Sequence, residues 1–185
     1  STYPKISQRN NDGTVTVSDL RQGDPICDQF CCERFDNMTI VAIADGCNWG
    51  KKPRNAANVA ARTFVEFAKR NVMETVNITQ AARVFFNAFA QCHQRIVEGV
   101  EQQNWWEVGT TTLLGGLLVE VEDQPYRYGF VVASVGDCKC FHVSKSRQTV
   151  IDMTMGSRAS TDASDCGGRL GPHIEGNPDL RNMAA

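Results

Sequence analysis

Ile40-Val41-Ala42-Ile43-Ala44 runs without a polar residue straight into Asp45-Gly46. A short apolar run bounded by a turn signal reads as a strand buried on both faces, and such a strand belongs inside a layered domain. Asp45 then sits where the strand leaves the core. Gly46 lets the backbone turn and lets its carbonyl approach whatever the carboxylate holds. A carboxylate beside a free carbonyl at the end of a rigid strand is half of a site for a hard divalent cation, which prefers oxygen ligands. Asp-Gly also closes ordinary hairpins. From this stretch alone both readings are open.

The neighbouring segments give the strand its company. Ser1–Asp12 is polar and shows no apolar period, whereas Gly13–Ser18 alternates like an edge strand. After the turn at Gly23-Asp24-Pro25, the residues Ile26–Arg34 form a second strand candidate, paired with Thr39–Ala44 through Phe35–Met38. Pro53 opens a helix whose apolar positions Ala57, Ala60, Ala61, Phe64, Phe67 and Ala68 lie on one face. A second helix starts near Asn77, a capping residue, and carries the stripe Ala81, Phe85, Ala88, Phe89, Cys92, Ile96 and Val100. Gly109–Val121 and Tyr126–Val135 are strand-like and joined by Glu122–Pro125; Cys138–Val143 and Gln148–Met153 extend them into an antiparallel meander. From Gly156 onward the strand signals disappear. The order strands, two helices, strands predicts one α+β domain over residues 1–185, with the helix pair covering one face of a sheet.

Composition narrows the function classes. A net charge of −2 leaves no footprint for nucleic acid or an anionic membrane surface. No apolar stretch reaches membrane-spanning length and no secretory signal opens the chain, so no membrane insertion is expected. Ser1 rather than Met begins it, as expected of a domain from a longer protein with further domains. The eight cysteines show no C-x-x-C spacing, and most lie in apolar runs; they read as reduced thiols of an intracellular, cytoplasmic protein.

Three aspartates recur in similar settings. Asp24 lies in a turn entering a strand, Asp45 ends one, and Asp137 follows Gly136 between two others. Carboxylates gathered at one sheet rim repel each other and so tend to share cations or protons. With these positions in view, the chain resembles the type 2C metal-dependent Ser/Thr protein phosphatases, the PPM family. The resemblance rests on Gly23-Asp24-Pro25, the apolar run with Asp45-Gly46, Gly109-Thr110-Thr111-Thr112, Ala133-Ser134-Val135-Gly136-Asp137, and Gly167-Gly168-Arg169-Leu170-Gly171, in family order and with two helices between the second and third. It covers roughly Arg21 to Gly171.

The resemblance implies an α-β-β-α sandwich of antiparallel sheets and hydrolysis of phosphoserine or phosphothreonine in a phosphoprotein by a metal-activated water. It implies two or more Mg²⁺ or Mn²⁺ ions held through Asp45 and the Gly46 carbonyl, with Asp24 supporting them and Asp137 serving a further ion. Asp45 and Asp24 take the catalytic positions, and Arg21 stands near the place of a phosphate-gripping arginine. The chain also departs from the pattern. Cys47-Asn48-Trp49-Gly50 and the basic Lys51-Lys52-Pro53-Arg54 replace a slim glycine-rich loop, which Trp49 is expected to crowd. Two later aspartates of the family have no clear match among Asp152, Asp162, Asp165 and Asp179, so the segment reads as the first two-thirds of such a domain, incomplete at its C-terminal side. The alternatives are a catalytically inactive phosphatase-like domain that binds a partner, and an unrelated α+β binding module.

Overall fold

The computed structural model describes residues 5–21, 25–74, 77–121, 127–156 and 167–172. Its centre is a four-stranded antiparallel sheet in the order β3-β4-β5-β6, formed by Gln29–Arg34, Met38–Ala44, Leu113–Glu120 and Tyr128–Val135. Strand β4 alternates strictly: Met38, Ile40, Ala42 and Ala44 are buried, while Thr39, Val41 and Ile43 face the other way. The buried set lies under the helices α1 (Lys51–Asn71) and α2 (Ile78–Val97), giving the expected mixed α plus β architecture with antiparallel sheets. On the opposite face Phe30, Ile43 and Leu118 stay exposed, apolar residues of the kind a sheet buries against a further layer.

The two helices pack through alanines. Ala57, Ala60, Ala61 and Ala68 of α1 are fully buried, which lets α2 come close enough for the Cys92 thiol to reach the Ala60 carbonyl at 3.3 Å. Burial pushes the Cys92 thiol up to about 12, so it remains a neutral, small hydrophobe. Phe64 fills the space between helices and sheet, edge-on to Phe85 at 5.1 Å and tilted against Phe89 at 5.6 Å. It fits because β5 carries Gly115, where a Cβ would stand 2.1 Å from the Phe64 ring. α1 begins at Lys51, two residues before Pro53, so proline occupies the first turn without breaking it. Asn77 caps α2 by accepting the Gln80 N–H at 3.0 Å, as its sequence position predicts.

Two small antiparallel pairs complete the described chain. β1 (Lys5–Arg9) and β2 (Val15–Arg21) form one. β1 lies within the polar Ser1–Asp12 stretch: all five of its residues are exposed, so it is held by pairing with β2 and leaves no apolar period to read. β7 (Phe141–Ser144) and β8 (Thr149–Asp152) form the other pair, separate from the main sheet rather than continuing a meander. The Glu122–Pro125 turn lies outside the described residues. Seven cysteines are free among the described residues, with Cys166 outside them. Among the described residues no helix is long and apolar enough to cross a membrane.

The Phe64–Gly115 contact gives a direct stability test. Phe64 is enclosed and cannot swing aside, so Gly115→Ala should cost about 1–3 kcal/mol in urea unfolding, the usual range for overpacking a core. A loss of less than about 0.3 kcal/mol would show that the ring does not rest on β5 as described.

Candidate functional site

The register of the sheet determines which residues meet at its rim. Gln29 pairs with Ala44, and one step further out Asp28 faces Asp45. Ile43 pairs with Leu114 and Leu113 with Val135, so Thr112 and Gly136 stand at the same end. Antiparallel pairing therefore brings Asp28, Asp45, Thr112 and the Gly136-Asp137 turn to one edge, although they come from four separate stretches of chain.

Asp45 is fixed through its backbone. Its N–H donates to Thr112 Oγ1 at 3.1 Å, and its carbonyl accepts from the Thr112 N–H and the Thr111 hydroxyl, both at 2.9 Å. Thr111 is 0% exposed and Thr112 is buried as well, so the threonine side of these part-buried bonds is shielded from water. The threonine run noted in the sequence thus serves to pin the aspartate. The ladder beyond Thr112 is unusual. Continuing the β5–β6 register would set residue 137 beside Thr111, but Leu170 takes that place and exchanges hydrogen bonds of 3.0 and 2.8 Å with Thr111. Gly136 turns away with φ of 109° and donates to the Gly167 carbonyl at 2.9 Å. A side chain at 136 would also strike Thr112, whose Cβ lies 2.5 Å from the position of an added Cβ. Asp137 leaves the ladder at this point.

Gly46 is required for a reason the sequence did not disclose. Its φ is ordinary; what forbids a side chain is the first turn of α1, with the Pro53 carbonyl oxygen 2.5 Å from an added Cβ. Gly109 meets the same helix turn, at 2.2 Å from the Lys52 carbonyl carbon. Cys47 N–H donates to the Thr110 carbonyl and the Thr112 N–H to Asp45, so the Gly46–Thr111 pair is of the type that makes no bonds across itself. The Gly46 carbonyl therefore turns toward the β3 side, where Asp28 lies.

The electrostatics of the rim follow from this packing. Burial, above all, pushes the Asp45 carboxyl up to about 6; a hydrogen bond with Asp28, and the charges of Asp28 and Asp137, push it the same way. Two carboxylates can share a hydrogen bond only when one carries a proton. Cys138 stands alongside, its Sγ 3.2 Å from Thr112 Oγ1. Burial raises its thiol, the Thr112 contact lowers it, and the three aspartates raise it further, which keeps it protonated.

Of the sequence-predicted residues, Asp45, Gly46 and Asp137 come together. Arg21 ends β2 in the separate hairpin, its backbone opposite Lys5. Asp24 lies outside the described residues. Asp28 is the residue the sequence reading missed, although a hairpin centred on Asp36 and Asn37 already sets position 28 across from 45. Asp152 is occupied locally: it accepts from Thr154 and pairs with Lys139 at 3.0 Å. Asp162, Asp165 and Asp179 lie outside the described residues. Trp49 does not crowd the rim, for it is 83% exposed. Among the described residues no three His, Cys, Asp or Glu side chains converge tightly enough to enclose an ion by themselves. The donor set is nonetheless chemically suited to one: carboxylate and carbonyl oxygens gathered where a cation would relieve the repulsion that Asp28 and Asp137 exert on Asp45.

No family model and no solved structure matches the chain. Over 166 residues, 87% of this chain, it is 27% identical to the PP2C-like domain-containing protein CG9801 of Drosophila melanogaster. The chain spans 23% of the length of that relative. The mixed α plus β architecture with its antiparallel sheets is consistent with a PP2C-like fold.

The raised Asp45 carboxyl gives a pH signature in protein stripped of divalent ions. A carboxyl held near 6 in the fold and near 3.8 when unfolded favours folding below the lower value and loses that contribution as pH rises through the higher. Asp45→Asn should therefore raise the melting temperature relative to wild type at pH 7.5, and the gain should vanish at pH 4. A gain independent of pH would place the cause outside this ionisation.

Proposed function

We propose that this chain carries the metal-binding rim of a PP2C-like Ser/Thr protein phosphatase, which hydrolyses phosphoserine and phosphothreonine esters in protein substrates. The observation that carries the reading is the meeting of Asp28, Asp45 and Asp137 at one sheet edge, with the Asp45 backbone locked by buried threonines. The likeness to a PP2C-like domain supports it.

Asp45, the Gly46 carbonyl and Asp28 are the groups that would hold Mg²⁺ or Mn²⁺, with Asp137 adding charge from the neighbouring turn. A divalent ion bound there supplies Lewis acidity, lowering the pKa of water and neutralising phosphoryl oxygens. The chain's own contribution is positional. Phosphoryl transfer depends chiefly on placement and charge stabilisation, and the threonine bonds hold Asp45 without any cost of reorganisation. Asp45, its carboxyl pushed up to about 6, must give up its proton when positive charge arrives, so cation binding should weaken as pH falls below that value. Arg21 and Asp24 keep the roles of phosphate grip and supporting carboxylate as part of this proposal.

Calorimetric titration with Mn²⁺, together with hydrolysis of p-nitrophenyl phosphate and a phosphothreonine peptide, tests the reading. Asp45→Ala should lose Mn²⁺ affinity by more than tenfold and, measured in the longer protein to which the activity is assigned, turnover by about a thousandfold, equivalent to roughly 4 kcal/mol of barrier. Asp28→Ala should lose affinity to a smaller extent. Equal Mn²⁺ binding by wild type and Asp45→Ala would remove the metal site. Full binding with no hydrolysis of either substrate by the longer protein as well would leave a phosphatase-like domain that only binds a partner.

A further inference from the structure

β6 is an open edge of the main sheet, and a cavity of about 740 Å³ lies against it. The register shows which backbone groups are left over there. The Thr112 N–H bonds to Asp45 and the Thr111 N–H to Leu170, so even-numbered β5 residues pair toward β4 and odd-numbered ones toward β6. The β5–β6 bonds are therefore exchanged by Leu113 with Val135, Gly115 with Ala133 and Leu117 with Val131. Val132 and Ser134 direct their N–H and C=O groups outward, where these groups find no partner among the described residues. Two residues on, Gly136 uses the same edge to donate to the Gly167 carbonyl at 2.9 Å.

The successive residues Val132 to Val135 all line the cavity, although alternate side chains of a strand face opposite sides of the sheet. A space that touches all of them lies beside the strand, not over one face. Its other wall is α2, which contributes buried Phe89 and exposed Phe86 and Ala90. Ser134 adds a second kind of orphan: its hydroxyl oxygen is buried and makes no hydrogen bond. Buried polar atoms in folded proteins are nearly always paired, so this one calls for a partner. Edge strands are commonly blunted by charge or proline, and β3 at the opposite edge carries Glu33 and Arg34. Tyr128–Val135 contains neither a charged residue nor a proline.

We infer that the free edge of β6 receives an extended peptide as a fifth strand, its backbone on Val132 and Ser134 and one bulky apolar side chain in the cavity against Phe86 and Phe89. Complementarity selects this occupant. Outward groups two residues apart recur about every 6.8 Å, and an antiparallel strand offers the same repeat in return. The edge is uncharged, so the positions of the peptide that pair with it are uncharged as well. An apolar small molecule would fill the space yet leave the backbone groups of Val132 and Ser134 unpaired. A second copy of the chain would instead join β6 to β6 in a symmetric dimer. The inference does not depend on the phosphatase reading.

The test uses the metal-free chain and a fluorescein-labelled peptide of threonine and valine with a central phenylalanine and a terminal lysine for solubility. Fluorescence anisotropy should show saturable binding. A counterpart N-methylated throughout keeps the side chains but cannot donate from its backbone, and it should bind at least tenfold more weakly. Val132→Pro removes an outward N–H and no bond of the β5–β6 ladder, so circular dichroism should stay unchanged while affinity falls at least tenfold. Ala90→Trp, at an exposed helix position on the cavity wall, should fill the space and cause a similar loss whether or not the proline variant folds. Absence of saturable binding by the wild type, equal binding of the two peptides, or affinity untouched by either folded variant would overturn the proposal. So would dimerisation of the wild type that Val132→Pro abolishes, which would give the edge to a second copy.

Discussion

Three hydrogen bonds between Thr111, Thr112 and the backbone of Asp45 hold the acidic edge of the sheet in place. They matter because a carboxylate at a strand end is otherwise free to follow solvent. The threonine partners are buried and the bonds partly so, a setting where a hydrogen bond is worth more than in open water and its loss is costly. The same two threonines tie other parts together: Thr111 exchanges bonds with Leu170, and Thr112 meets both the Gly136 turn and the Cys138 thiol. A change at either position would therefore be felt at Asp45, at the Asp137 turn and in the Leu170 segment at once.

The first turn of α1 closes the structure from the other side. It presses on Gly46 and Gly109 so tightly that neither position accepts a methyl group without movement of backbone. One short helical turn thereby separates two regions of opposite charge. At the rim, burial first and the neighbouring carboxylates second drive Asp45 toward protonation, whereas Lys51, Lys52, Arg169, Trp49 and Trp106 line a separate cavity.

Much of this was legible in the sequence, and what was not has identifiable causes. The helix stripes led to the correct buried face because alanine and phenylalanine recur with helical period, and Asn77 announced its cap through local chemistry. Asp45 and Asp137 stood out because glycine adjoins each. Asp28 did not: Cys27-Asp28-Gln29 carries no turn signal, and only the register of the hairpin gives the residue its meaning. Gly46 was noticed but for the wrong reason, since the demand for glycine comes from a helix later in the chain. The departure of Asp137 from the ladder was hidden too, because Leu170 intervenes from a distant segment. β1 left no apolar pattern because pairing alone holds it.

The claim that sheet register assembles an oxygen-lined cation site can be measured residue by residue. Carbon-13 spectra of the aspartate carboxyl groups, recorded during addition of substoichiometric Mn²⁺, report which carboxylates lie beside the paramagnetic ion. The account predicts that the signals of Asp28, Asp45 and Asp137 broaden first and together, while Asp152, held by Lys139 and Thr154, stays sharp. Broadening of Asp152 ahead of these three, or uniform loss of all aspartate signals, would contradict it.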